Sequence, residues 1–275
     1  IDAGAAVDKA DNDGTSALMY TCGQGHVACA RALINAGAAV DKADNDGTSA
    51  LLYACVLGQH ECARALIDAG AVVDKVDDGG RTALIGACQG VGDVVCVRAL
   101  IDADAAVDKV DNKGLTALMR ACHSGHHECA QALIEAGAAV DMVSDYGGTA
   151  LMWACVSGHH ECAQALIVAG AAVDMKDNNG KTALMIACIS GRHECAQALI
   201  DASAPVDQVN NDGVTALMIA AESPSLDAIL VECAAESDVD EDSDEDSDMD
   251  EEELEQRNEE RLQQRSERRL EERRQ

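Results

Sequence analysis

The 275-residue chain has no phenylalanine, one tryptophan and three tyrosines. A core of large aromatic rings is excluded, and burial must come from Ala, Leu, Ile, Val, Cys and Met. Only two prolines occur, while 23 glycines are spread evenly along the chain. No apolar run approaches the roughly 18–20 residues of a membrane span, so an integral membrane protein is not expected. As given, the sequence opens without a charged segment followed by an apolar one, the mark of a secretory signal. Basic residues are scarce, 20 against 50 acidic, for a net charge of −30. Such a chain repels phosphate backbones, so sequence-reading of DNA or RNA is not expected. Signatures of catalysis are missing too. There is no Gly-x-Ser-x-Gly, no phosphate-cradling glycine loop, no His-Glu-x-x-His and no kinase motif. The expectation is a non-enzyme without cofactor.

What the chain has is a repeat. A Thr/Ser-Ala-Leu triplet begins at Ser16, Ser49, Thr82, Thr116, Thr149, Thr182 and Thr215, spaced by 33, 33, 34, 33, 33 and 33 residues. A polar, Gly-containing turn precedes each triplet, as in Asp-Asn-Asp-Gly at 11–14 and Asp-Asn-Lys-Gly at 111–114. The fifth copy departs with Ser-Asp-Tyr-Gly-Gly at 144–148. After the triplet come a short helical pattern, a Gly-His-like break and a second apolar helix. Neither helix reaches the roughly 12–15 residues at which an isolated helix becomes marginal in water. Each must gain stability by stacking on the next unit, so energy is mostly nearest-neighbour. The first residues nearly copy 67–75. The sequence therefore reads as starting inside a unit and as a piece of a longer protein.

Turn, Thr-x-Leu, Ala-Cys, Gly-His, apolar helix and Ala-Gly-Ala-x-Val-Asp at this period resemble the ankyrin repeat, over residues 1 to about 235. The resemblance implies an all-α solenoid of stacked helix-turn-helix units, and protein binding as an adaptor or scaffold. The expected units are 11–43, 44–76, 77–110, 111–143, 144–176, 177–209 and a capping 210–235, with 1–10 left from a preceding repeat. The family's Thr-Pro-Leu-His here has Ala for Pro and an apolar residue for His in every copy. Loss of proline removes a preorganised first helical turn. In the family that His bonds back toward the Thr, and the His of the Gly-His break makes local bonds. The third copy carries one extra residue between its helices, read as a loop insertion of small entropic cost.

Twelve of the 13 cysteines fall on two repeat positions, one in each helix, where the family usually holds Ala and Val. Free cysteine behaves as a small buried hydrophobe. Equivalent cysteines of neighbouring repeats should lie a helix-packing distance apart, roughly 8–10 Å. A disulfide needs about 4.4–6.8 Å between Cα atoms, so a disulfide ladder is not expected. Zinc is the alternative, raised by the Cys-His-Ser-Gly-His-His-Glu-Cys segment at 122–129, but no Cys-x-x-Cys pair supports it. Free thiols in this number favour a reducing compartment, cytoplasmic or nuclear.

Positions that vary among otherwise copied repeats mark where a partner would bind. Around the turn glycine and on the first helix these are Tyr53, Arg81, Lys113, Leu115, Arg120, His123, Tyr146, Trp153 and Lys181. The fourth and fifth repeats bring most of them to neighbouring places. Aromatic residues and Arg dominate interface hot spots, so the concave face is the expected binding surface of a monomeric repeat domain. The competing reading has Trp153 and the tyrosines pad the inner helix face.

Beyond residue 235 the periodicity stops. Residues 236–253 hold 13 acidic residues in 18 and are expected to be disordered. Ser237, Ser243 and Ser247 are each followed three residues later by an acid and resemble acidophilic kinase sites. The run reads either as a solvating tail or as a tether for a basic protein such as a histone, the alternative function. Residues 254–275 carry seven Arg and six Glu and are expected to form a charged helix.

Overall fold

A computed structural model of the chain describes residues 6–221. Among the described residues there are thirteen helices and no strands, seven first helices alternating with six second helices. The first helices are α1 (Ala17–Gly23), α3 (Ala50–Val56), α5 (Ala83–Gln89), α7 (Ala117–Ser124), α9 (Ala150–Ser157), α11 (Ala183–Ile189) and α13 (Ala216–Ala220). The second helices are α2 (Val27–Asn35), α4 (His60–Asp68), α6 (Val94–Asp102), α8 (His127–Glu135), α10 (His160–Val168) and α12 (His193–Asp201). First helices pack on first helices along the stack, second helices on second helices, and each pair on itself. The second half of unit 210–235, the acidic run with Ser237, Ser243 and Ser247, and the 254–275 helix lie outside the described residues.

The Thr/Ser of each triplet starts its first helix. In all seven copies its hydroxyl accepts the backbone N–H three residues on, at 3.2–3.4 Å. A cap of this kind satisfies a donor that the helix itself cannot. In the first six copies the apolar residue that replaces the family's His goes into the core: Met19, Leu52, Ile85, Met119, Met152 and Met185 are at most 3% exposed, whereas Met218 of the seventh is exposed. With the triplet leucines and the second-helix leucines they make one continuous buried layer.

Second helices are capped differently. The residue before α8 or α10, His126 or His159, makes no side-chain cap. The expected local bond of the Gly-His histidine is corrected at His126, whose Nε2 instead meets the Gly90 carbonyl of the preceding repeat at 3.0 Å. The longer third repeat is the exception. Its Asp93 carboxylate accepts from the Val95 and Cys96 N–H groups at 2.8 and 3.2 Å, so the insertion delivers a true cap.

Two polar ladders hold neighbouring repeats in register. Turn to turn, the N–H of Asn45, Asp78, Asn112, Asp145, Asn178 and Asn211 donates to a carbonyl one repeat back, at 3.0–3.4 Å. The turn glycine sits at positive φ, 75° at Gly147, and a Cβ there would meet the Asn178 backbone nitrogen at 2.6 Å. Only glycine fits both demands. In the second ladder the Val-Asp carboxylates of Asp8, Asp41, Asp74, Asp108 and Asp141 accept from backbone N–H groups of the next repeat at 2.8–3.2 Å. Five of the acidic residues thus have a structural role.

Candidate functional site

The first residue of each turn is the hub of its loop. Asp11 Oδ1 accepts from the Asp13 and Thr15 N–H groups, and Asp44, Asp111 and Asp177 repeat this two residues and four residues on. The second carboxylate oxygen takes a side chain. In the first two repeats it accepts from Tyr20 and Tyr53 hydroxyls at 3.2 and 2.9 Å. In the third, where the helix position is Gly86, Arg81 bonds Asp77 from the turn itself at 2.6–2.7 Å. In the fourth, Arg120 bonds Asp111 at 2.6 Å. The Asp111 side chain is 3% exposed and that of Arg120 18%. Burial opposes ionisation of Asp111. The Arg120 guanidinium and the Leu115 and Lys113 N–H groups outweigh it and hold the carboxyl below its ordinary value.

The fifth repeat breaks this scheme. Ser144 stands where the others have an acidic or amide hub, and Trp153 occupies the helix position. Serine is too short to reach the loop, and indole N–H finds no carboxylate. The Ser144 Oγ and Trp153 Nε1 are buried without partners, as is the Nε of Arg120 next door. Buried polar groups without a hydrogen bond are rare and costly.

Beside this break lies a pocket of about 210 Å³, lined by Lys113, Leu115, Met119, Arg120, His123, Tyr146 and Trp153. Trp153 is its hinge, with the His123 ring edge-on at 5.3 Å and Tyr146 edge-on at 6.3 Å. His123 Nδ1 meets Ser157 Oγ at 3.0 Å. Partial desolvation, then the charge of Arg120 and of His159, push the His123 pKa below its usual 6.5. Tyr146 is 53% exposed and Lys113 is exposed at the rim, whereas Leu115 is buried at 6% and forms the floor.

Six of the nine sequence-derived positions thus converge. Tyr53, Arg81 and Lys181 do not reach this pocket; Tyr53 and Arg81 are held by their own turn carboxylates. Met119 was missed, because its position is apolar in every repeat and a search for variation passes over it. Among the described residues no group of three or more His, Cys, Asp or Glu is arranged to hold a metal ion. None of the described helices is long and apolar enough to cross a membrane.

The sequence matches the family described as ankyrin repeats (3 copies) over residues 1–77, 46–111, 84–177 and 151–242. The chain belongs to the ankyrin repeat family. Its fold is similar to the crystal structure of the human ASB11 ankyrin repeat domain, with TM-score 0.72 and 29% identity over 80% of this chain and 98% of that one. It is also similar to the ankyrin repeat domain of Bcl-3, described as a unique member of the IkappaB protein family, with TM-score 0.69 and 28% identity over 80% and 99%. No curated protein matches the sequence. Ankyrin repeat domains are protein–protein interaction modules, in general without catalysis, and the family membership makes this chain a protein–protein interaction module.

Proposed function

We propose that the chain is a non-catalytic adaptor or scaffold that binds its protein partner on the concave face, at the pocket between the fourth and fifth repeats. The observation that carries this reading is the broken tether. Four repeats lock the hub of the turn to a Tyr or Arg; the sixth and seventh carry Ile186 and Ile219 there instead, and the fifth leaves Ser144 and Trp153, the single Trp, buried and unsatisfied. The pocket combines an indole, a phenol and an apolar floor with Lys113, a cation paired with no carboxylate among the described residues. This is the composition of an interface hot spot. The fitting ligand is a protein segment with an apolar side chain for the Tyr146–Trp153 slot and a carboxylate or carbonyl for Lys113. The buried free thiols support residence in a reducing compartment, cytoplasm or nucleus.

The test compares partners captured from lysate by the full chain and by its Lys113→Ala/Tyr146→Ala variant. Both side chains are exposed, so the fold should survive, as circular dichroism would check. Partners lost by the variant and kept by Lys181→Ala support the pocket. Partners indifferent to the pocket, lost on deleting 236–275 and released by salt, would put binding on the acidic run instead.

A further inference from the structure

No carboxylate lines the pocket between the fourth and fifth repeats. Its polar lining is Lys113, Arg120, His123, Tyr146 and the Trp153 indole. In a chain of 50 acidic and 20 basic residues this is a local reversal of charge. Asp111, which bonds Arg120, has a side chain only 3% exposed, and its charge is matched within that pair. Three donors stay unused. The Lys113 ammonium pairs with no carboxylate among the described residues. Arg120 Nε and Trp153 Nε1 are buried without a partner. Leu115 and Met119, 6% and 1% exposed, supply the apolar floor. The complement of such a pocket is a single apolar side chain flanked by negative charge.

We propose that a segment of this same chain, Asp248-Met249-Asp250 of the acidic run, docks in the pocket and holds it closed until a partner displaces it. Met249 takes the Leu115–Met119 floor, and the flanking carboxylates face Lys113 and the unused N–H groups of Arg120 and Trp153. The proposal rests on the pocket being the partner site and adds how that site is regulated.

Composition, charge and reach point to this segment. Val239 and Met249 are the two apolar residues in the run 236–253, and acids flank both. Met is unbranched and polarisable and packs well against aromatic rings. The rings of His123, Tyr146 and Trp153 stand together at the pocket. Acids recur over the rest of the described surface, as exposed Asp13, Asp46 and Asp78 in the turns and Glu128, Glu161 and Glu194 on the second helices. They repel the run there, whereas the acid-free lining of the pocket admits it. The described chain ends at Ala221, just past α13. The pocket lies two to three first helices back, about 16–30 Å at helix-packing distances. The 28 residues from Ala221 to Met249 reach at most about 90–100 Å, so the tether is ample. A tether that spans its site raises the local concentration to roughly the millimolar range. A contact too weak to join separate molecules is then populated within one.

The experiment irradiates the purified full chain carrying benzoylphenylalanine at Tyr146, as a dilute mixture of unlabelled and isotope-labelled copies, and maps the joined peptides by mass. The expected result is a link within one copy to residues 248–250. Asp248→Asn with Asp250→Asn should lower its yield about threefold, the loss of two exposed ion pairs, and added salt should do the same. In the chain with its native Tyr146, Met249→Ser should move the emission of Trp153 to longer wavelength, and Val239→Ser should leave it in place. A link at Val239, a link between copies, no link to 236–253, or Trp153 emission indifferent to Met249 would overturn the proposal. A pocket-dependent partner captured by a chain that forms no such link would overturn the closure and leave the proposed function standing. The link without any pocket-dependent partner would support the contact and count against that function.

Discussion

His123 and Trp153 offer the most local handle on the pocket. A His whose folded pKa is depressed adds stability that is present above its unfolded value, near 6.5, and lost as pH falls through the folded value. Its protonation also places a cation 5.3 Å from the only indole of the chain. Emission of Trp153 should therefore change with a midpoint below 6.5, and His123→Gln should abolish that step. Asp111, in the turn that precedes the helix of His123, titrates in a lower range. Its pKa is depressed as well, so its contribution is lost only as acid titrates the carboxylate itself, below the ordinary 3.8. Asp111→Asn leaves the Arg120 guanidinium without its charged partner and should cost about 2–3 kcal/mol in chemical denaturation at neutral pH. The residue identities at this site were legible in the sequence as departures from the repeat. The pairing of Arg120 with Asp111 was not, because nine residues of turn and helix separate them and only the fold decides which oxygen is free.

At the scale of the element, the turn and the first helix behave as one device. The triplet Thr/Ser and the turn glycine were legible as repeat positions, whereas their work as helix cap and positive-φ turn, and the hub role of the turn carboxylate, came with the fold. The fifth repeat was readable only as an irregular spelling, Ser-Asp-Tyr-Gly-Gly, and not as a broken tether. Restoring the hub tests that account. Ser144→Asp supplies an acceptor for the loop N–H groups and for Trp153 Nε1, and should stabilise the protein by about 1 kcal/mol. A melt unchanged or lowered would mean that the indole N–H was never in need of a partner. The second helices taught the reverse lesson. Their Gly-His breaks promised local bonds, yet His126 reaches back to the previous repeat, and the one strong cap belongs to the repeat with the insertion.

The whole molecule is a one-dimensional stack, and its energetics should show it. Leucines such as Leu118 and Leu151 lie in one layer that runs through every described repeat. Leu118→Ala, in the middle of the stack, should cost about 2–5 kcal/mol. It should also split a single unfolding transition into two, because the fourth repeat is what couples the halves. Repeat length and the need for neighbouring units to stack were legible from the 33-residue period, and the all-α solenoid from the resemblance of the motifs to the ankyrin repeat. The contacts between repeats were not. A comparison of like positions does not show that His126 of one repeat meets the Gly90 carbonyl of the repeat before it, 36 residues back. Contact between neighbours likewise gives the fourth and fifth repeats one shared pocket.

The most direct measurement of that claim is site-specific photocrosslinking in the full chain. Benzoylphenylalanine would replace Tyr146, at the pocket, or Val168, which is 78% exposed on the second helix of the same repeat. The account predicts that Tyr146→benzoylphenylalanine captures a discrete protein from lysate, that the Val168 substitution does not, and that Lys113→Ala weakens the first capture. Equal capture at both positions, or capture at Val168 alone, would contradict it.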